Sequence, residues 1–141
     1  MARFCMPGVN DWIKKAASDL KSSKKLLKDD DDTLDTAAYH TQQAAEKALK
    51  AYLLSRACEI PKTHDLERLL KNCILLDPSF ANLRLDVEAL SAYATYTRYP
   101  DDYFRIERSD VVAAIDCASK ILTFAKTKIE RKVTDSQLDV F

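Results

Sequence analysis

The chain holds a single glycine, Gly8, in 141 residues, and that count restricts what it can fold into. A phosphate-cradling loop or a dinucleotide-binding turn needs several glycines, because backbone must approach the phosphate closely and adopt positive φ. Neither can be built here. Tight two-residue hairpins also favour glycine, which disfavours an all-β chain of this length. Helices remain, and they reward a chain rich in Ala, Leu and Lys.

Lysine plus arginine and aspartate plus glutamate both total 22, so the formal net charge is zero. A polyanion-binding protein usually declares itself by a basic excess, which this chain lacks as a whole. The charge is nonetheless segregated. Residues 1–28 carry a net +5, residues 29–35 a net −5 and residues 77–118 a net −4. Such segregation suits assembly between basic and acidic surfaces at least as well as it suits attraction of RNA, and assembly is the preferred reading here. The four cysteines, Cys5, Cys58, Cys73 and Cys117, include no C-x-x-C pair, and two histidines complete no zinc site at a usual spacing. Reduced core cysteines in a cytoplasmic protein are the expectation. No apolar run approaches the ~18 residues of a membrane span, and the N-terminus has no signal-peptide core.

Apolar residues recur at helical steps in five segments. In the first, about Asn10 to Lys28, Trp12, Ile13, Ala16, Ala17, Leu20 and Leu27 alternate with lysines, and Asn10 or Asp11 can cap the start. Asp29 to Asp32 repel one another and read as a solvated connection, not as a cation loop. The second segment, about Leu34 to Cys58, is the most informative. At 100° per residue, Leu34, Ala37, Ala38, Thr41, Ala45, Ala48, Leu49 and Tyr52 share one arc. His40, Gln43, Lys47 and Lys50 share another, with Glu46 at its edge. One face packs closely; the other offers an imidazole, an amide and two ammonium groups.

Pro61 breaks the pattern, and Thr63 is placed to cap a short helix through Leu66, Leu69, Leu70, Cys73 and Ile74. Asp77-Pro78-Ser79 is a turn and cap for a helix from about Phe80 to Thr97. Pro100 stops that helix, and Ser109 caps the last one, whose apolar face runs from Val111 to Ile129. Val133 to Phe141 reads as a tail without pattern. The expected architecture is an all-α, up-and-down antiparallel bundle of four long helices and one short one, occupying residues 1–132 as a single domain.

Little in this pattern announces catalysis. A carboxylate-bridged di-metal bundle needs Glu-x-x-His on two helices, and neither histidine has it. Spacing selects no Cys–His nucleophilic pair. His40 on a half-polar helix is more often a solvent-edge residue than a proton carrier, and His64 suits a structural hydrogen bond across the Pro61 loop. Arg98 beside Tyr99 places a guanidinium and an aromatic face together at a helix end, an arrangement fit for a phosphate or a base, or for a salt bridge to Asp101 or Asp102.

Three stretches resemble a known family. His40-Thr41-Gln42-Gln43-Ala44-Ala45-Glu46-Lys47-Ala48-Leu49-Lys50-Ala51 is similar to the signature second helix of the HEPN family, the higher eukaryotes and prokaryotes nucleotide-binding domains. Pro61-Lys62-Thr63-His64-Asp65-Leu66 resembles its Pro-x-Thr-His-x-Leu helix start, and Arg98-Tyr99-Pro100-Asp101 its Arg-Tyr-Pro segment. The resemblance covers about Asp11 to Glu130. It implies a five-helix bundle that dimerises, linked to nucleotide binding and to RNA cleavage in toxin–antitoxin systems, and in bacteria often paired with a minimal nucleotidyltransferase. Ribonuclease members carry an arginine followed four to six residues later by histidine, the arginine stabilising phosphate charge and the histidine moving the proton. No arginine here has that histidine: after Arg98 those positions hold Asp102, Tyr103 and Phe104.

The expected function is therefore a dimeric binding module for a nucleotide or other phosphorylated ligand, beside a nucleotidyltransferase partner. His40, Gln43, Lys47, Lys50, His64, Arg98 and Tyr99 would line its groove. No metal or cofactor is expected. The alternatives are a metal-independent ribonuclease using Arg98 with His40 or His64, and a non-catalytic assembly partner. With so little glycine, any phosphate site must be made of side chains on helices.

Overall fold

The structure, a computed structural model, describes residues 8–29, 31–96 and 106–138. Among them are five α-helices and no strand: α1 (Val9–Asp29), α2 (Leu34–Ser55), α3 (Leu66–Leu76), α4 (Arg84–Tyr96) and α5 (Arg108–Leu138). A 3₁₀ turn, Asp31–Thr33, joins α1 to α2, and a longer one, Pro78–Leu83, leads into α4. The up-and-down all-α bundle read from the sequence is what forms. No helix among the described residues is long and apolar enough to cross a membrane.

α2 is the central element, packed against α1, α3, α4 and α5. Its alanines make this possible. Ala37, Ala38, Ala44, Ala45, Ala48 and Ala51 are all buried, and side chains this small let neighbouring backbones approach from several sides at once. Two hydroxyls along the seam of α1 and α2 are paired: Ser23 Oγ donates to the Ala37 carbonyl at 2.7 Å and Thr41 Oγ1 to the Ala38 carbonyl at 2.6 Å. At one level of the bundle the Phe80 ring lies 4.3 Å from the Tyr52 ring and 5.0 Å, edge to face, from that of Phe124.

Helix ends depart from the sequence reading in instructive ways. Asp65, not Thr63, caps α3, its carboxylate accepting from the Glu67 and Arg68 amides, while Thr63 Oγ1 accepts from Asp65 N. A carboxylate at a helix start answers both orphan amides and dipole, so it displaces the hydroxyl. Ser109 lies inside α5, and Asp110 reaches back to the Glu107 amide instead. α5 also continues to Leu138, through most of the stretch that shows no apolar period.

α2 stops at Ser55, short of Cys58, through a turn that normally recruits glycine. Ala57 has φ +57, its amide bonds to the Leu54 carbonyl, and the Cys58 amide bonds to that of Leu53. This pair of bonds is the Schellman motif, with alanine in the left-handed position. Ala57→Gly removes the Cβ clash at some cost in chain entropy, for a net stabilisation of about 0.5–1 kcal/mol. A urea midpoint that shifts upward at unchanged slope is the expected result.

The thiols behave as core groups. Burial pushes Cys73 up to about 12, with the neighbouring Cys58 adding to it. Burial likewise raises Cys117, helped by Asp86. A thiol held protonated is a poor nucleophile. Cys58, Cys73 and Cys117 are all free.

Candidate functional site

α2 is enclosed almost all round, and one strip of it stays partly open. His40, Gln43 and Lys47, at successive turns, are half-buried, and Tyr39 beside them is 48% exposed. Lys50 belongs to the same arc in the helical projection but not to the surface: it is 7% exposed, and Glu46 is 3% exposed. Three donors of the row thus stay partly open and the fourth, Lys50, lies beneath the surface.

Two carboxylates organise these donors. Asp19, on the face of α1 that meets α2, takes His40 Nδ1 on one oxygen at 2.9 Å and the Lys47 ammonium on the other. Glu46 takes Lys50 Nζ at 3.1 Å and His64 Nδ1 at 3.0 and 3.2 Å on its two oxygens. Lys50 is covered further by Trp12 of α1, whose ring centre lies 5.8 Å from Nζ. The Pro61 turn carries the chain back so that His64, itself 76% exposed, reaches across to the buried Glu46. The hydrogen bond proposed for His64 therefore exists, but it runs to α2 and not within the loop.

The geometry sets the chemistry. An ionised carboxylate only accepts, so each histidine must carry its proton on Nδ1. In the neutral ring this leaves a lone pair on Nε2, the arrangement that makes an imidazole a proton acceptor. Lys47 and Lys50 are each neutralised by a carboxylate. A phosphate entering the strip would compete with Asp19 for Lys47, the more accessible of the two. The two histidines answer to different carboxylates, so the strip consists of two adjoining charge clusters rather than one convergent site.

Arg98 and Tyr99 lie outside the described residues. Asp19, Glu46 and Trp12 were not read from the sequence as site residues. Asp19 is an isolated acid on a lysine-rich helix, and its signal is only its position: it falls on the buried side with Ala16, Leu20 and Ser23. No group of three or more His, Cys, Asp or Glu side chains among the described residues could hold a metal ion. A separate groove of about 720 Å³ opens between α5 and the 3₁₀ turn, lined by Ser79, Asn82, Thr123, Phe124 and Lys128 among others. None of the candidate site residues read from the sequence lines it. Its lysines are also matched by acids, Lys128 to Asp77 at 3.2 Å and Lys120 to Asp86 at 3.4 Å.

Known proteins share this fold. The HEPN domain family model matches residues 9–129. Candidate toxin MJ1304 of Methanocaldococcus jannaschii is 33% identical over 100 residues, which cover 66% of this chain and 64% of that protein, so the chain spans less than two thirds of that relative's length. The crystal structure of ST0689, an archaeal HEPN homologue, superposes with a TM-score of 0.68 at 31% identity, covering 86% of this chain and 97% of that one. That of TT1696 from Thermus thermophilus gives 0.70 at 29% identity, covering 87% and 99%. The matched region takes in α1 to α4, most of α5 and both charge clusters; the chain belongs to the HEPN domain family.

Proposed function

We propose that the chain is a HEPN binding module that takes a nucleotide or other phosphorylated ligand along the half-open strip of α2, working as a dimer beside a minimal nucleotidyltransferase. The observation that carries this reading is the row of His40, Gln43 and Lys47 on one accessible edge, with His40 and Lys47 held in place by Asp19. A phosphate exchanging with Asp19 gains a preplaced ammonium and an imidazole. Arg98 and Tyr99 are assigned to the same ligand, the guanidinium to a phosphate and the ring to a base. Dimerisation and the nucleotidyltransferase partner come from the family resemblance.

The test is a thermal-shift screen of nucleoside mono-, di- and triphosphates against the wild type, Lys47→Ala and Arg98→Ala. A ligand at about 100 times its Kd stabilises by about 2.7 kcal/mol, which for a chain of this size raises Tm by several degrees. Wild type should shift and both variants should shift less. A screen in which no nucleotide raises the wild-type Tm overturns the reading, and a monomer at micromolar concentration in sedimentation overturns its dimer.

One observation favours a second reading, a metal-independent ribonuclease of toxin–antitoxin type. His40 and His64 are both held through Nδ1 by carboxylates, which leaves Nε2 as a base, and a relative bears the name of a candidate toxin. Against it stands the missing histidine after Arg98. RNA cleavage abolished by His64→Gln would favour it; intact RNA at high protein concentration removes it.

A further inference from the structure

The side of α1 turned away from the core carries a row of ammonium groups. At 100° per residue Lys14, Lys21, Lys25 and Lys28 fall within about 60° of one another, and Lys24 lies about 40° to one side. The buried Ala16, Leu20 and Ser23 occupy the opposite side of the same helix. All five lysines are exposed, and among the described residues none of them forms an ion pair. The acids of α1 do little to offset them. Asp19 is turned into the seam with α2 and taken by His40 and Lys47, while Asp11 stands at the helix start, ahead of the row, and Asp29 is the last residue of the helix, beyond Lys28. From Lys14 to Lys28 the row runs about 21 Å at 1.5 Å per residue.

Two kinds of partner carry the complementary charge, an acidic protein and a nucleic acid. Protein interfaces are built on an apolar, aromatic centre and are depleted in lysine. The α1 face has the reverse composition. The exposed large apolar side chains among the described residues are Tyr39, Leu75, Leu85 and Val112, and none is on α1. Between Lys14 and Lys21 it presents only Ala17 and Ser18, which leave room for a backbone to lie against the helix. A surface with dense charge and nothing apolar to desolvate is suited to phosphates, whose binding is electrostatic and independent of sequence. Straightness narrows the form: a row of this length follows one extended strand, whereas the strands of a duplex curve away from it.

We infer that the outer face of α1 is a docking surface for a single-stranded nucleic acid, held through its phosphates without reading bases. Bare formal charge favoured assembly between proteins; the absence of a large exposed apolar side chain on this face decides for nucleic acid. The surface lies on the far side of α1 from Asp19 and the α2 strip, so it stands whether or not a nucleotide binds there.

Fluorescence anisotropy of the full chain with a labelled 20-mer oligouridylate, titrated from low to moderate salt, tests it. Single-stranded binding weakens with a log–log salt slope of about −0.7 per phosphate neutralised, so five lysines give a slope of about −3.5. The quadruple variant K14A/K21A/K25A/K28A should bind on the order of a hundred-fold more weakly near 0.1 M salt, with the slope falling towards about −0.7. Alanine favours helix at least as well as lysine, so α1 stays folded, and circular dichroism checks this. A control with four lysines removed elsewhere, K62A/K71A/K120A/K126A, should keep the wild-type slope. Three results overturn the inference: no binding by the wild type, equal loss in the two quadruple variants, or a 20-residue oligoglutamate peptide bound as tightly as the RNA at the same salt.

Discussion

Replacing Glu46 by alanine is expected to destabilise the bundle by about 3–5 kcal/mol, a large part of the stability of a domain this size. The loss comes from what is left behind. Lys50 has a side chain only 9% exposed, and its one carboxylate partner among the described residues is Glu46. Without that partner a buried ammonium faces the Trp12 ring, whose attraction, about 2 kcal/mol for a desolvated pair, offsets only part of the unpaired charge. His64 loses its anchor in the same step, releasing the Pro61 turn from α2. The double variant Glu46→Ala, Lys50→Met separates the two effects. It removes both charges and keeps the bulk of the long side chain, so most of the lost stability should return. Urea denaturation of the three proteins measures this. A single variant that costs less than 1 kcal/mol, or a double variant no better than the single, would show that the pair is not a buried ion pair of this kind. The double variant also serves function: it removes the Glu46 cluster and leaves Asp19, His40 and Lys47 in place. Nucleotide binding that persists in it assigns the ligand to the Asp19 cluster.

The second large effect belongs to Phe80. Phe80→Ala should cost about 3–5 kcal/mol, because the ring is fully buried and the pocket around it is built by residues that cannot follow it inward. Tyr52 is fixed by its helix and by Arg56, whose guanidinium donates to the phenol oxygen at 2.8 Å. Phe124 is fixed by α5. Each ring contact is worth about 0.5–1.5 kcal/mol beyond burial, so both are lost together with the transfer energy. Roughly 10–15 °C should come off Tm at this chain length. Leucine should recover part of the loss by filling most of the volume. A drop of only a degree or two would mean that the 3₁₀ turn collapses onto the gap and that Phe80 is not what joins α3 and α4 to the core.

Phe80 also shows where reading a sequence by period stops. The pattern places it at the start of a helix whose stripe is Leu83, Val87 and Leu90, and those three are buried as expected. The segment before Arg84, however, is a 3₁₀ turn with three residues per turn. A 3.6-residue projection has the wrong period there, although Leu83 still turns inward as expected. The Asp65 cap is a case of competition: hydroxyl and carboxylate both suit a helix start, and the loop geometry chose the one that reaches two amides. On α2 the period was sufficient, whereas Ala17 of α1, read with the apolar residues of its helix, is exposed. Every residue placed on the packing arc of α2, from Leu34 to Tyr52, is buried.

The amino-acid sequence by itself determined the class of fold and the face of each long helix. One glycine left helices as the available structure, and the apolar period along them fixed which side turns inward, since side-chain direction on a helix follows from spacing alone. The family signature and the absence of a histidine after Arg98 were legible in the same way. What only the tertiary structure decided is the state of the polar residues. Period puts Lys50 with His40, Gln43 and Lys47, but α2 is surrounded by four helices, so one member of the arc is sealed beneath Trp12 while its neighbours stay half open. Pairing depends on residues far apart in the chain: Asp19 meets His40 and Lys47, and Glu46 meets His64, only once α1 and the Pro61 turn are packed against α2. Burial and charge compensation are properties of neighbours across the fold, and no local pattern in one stretch of sequence encodes them.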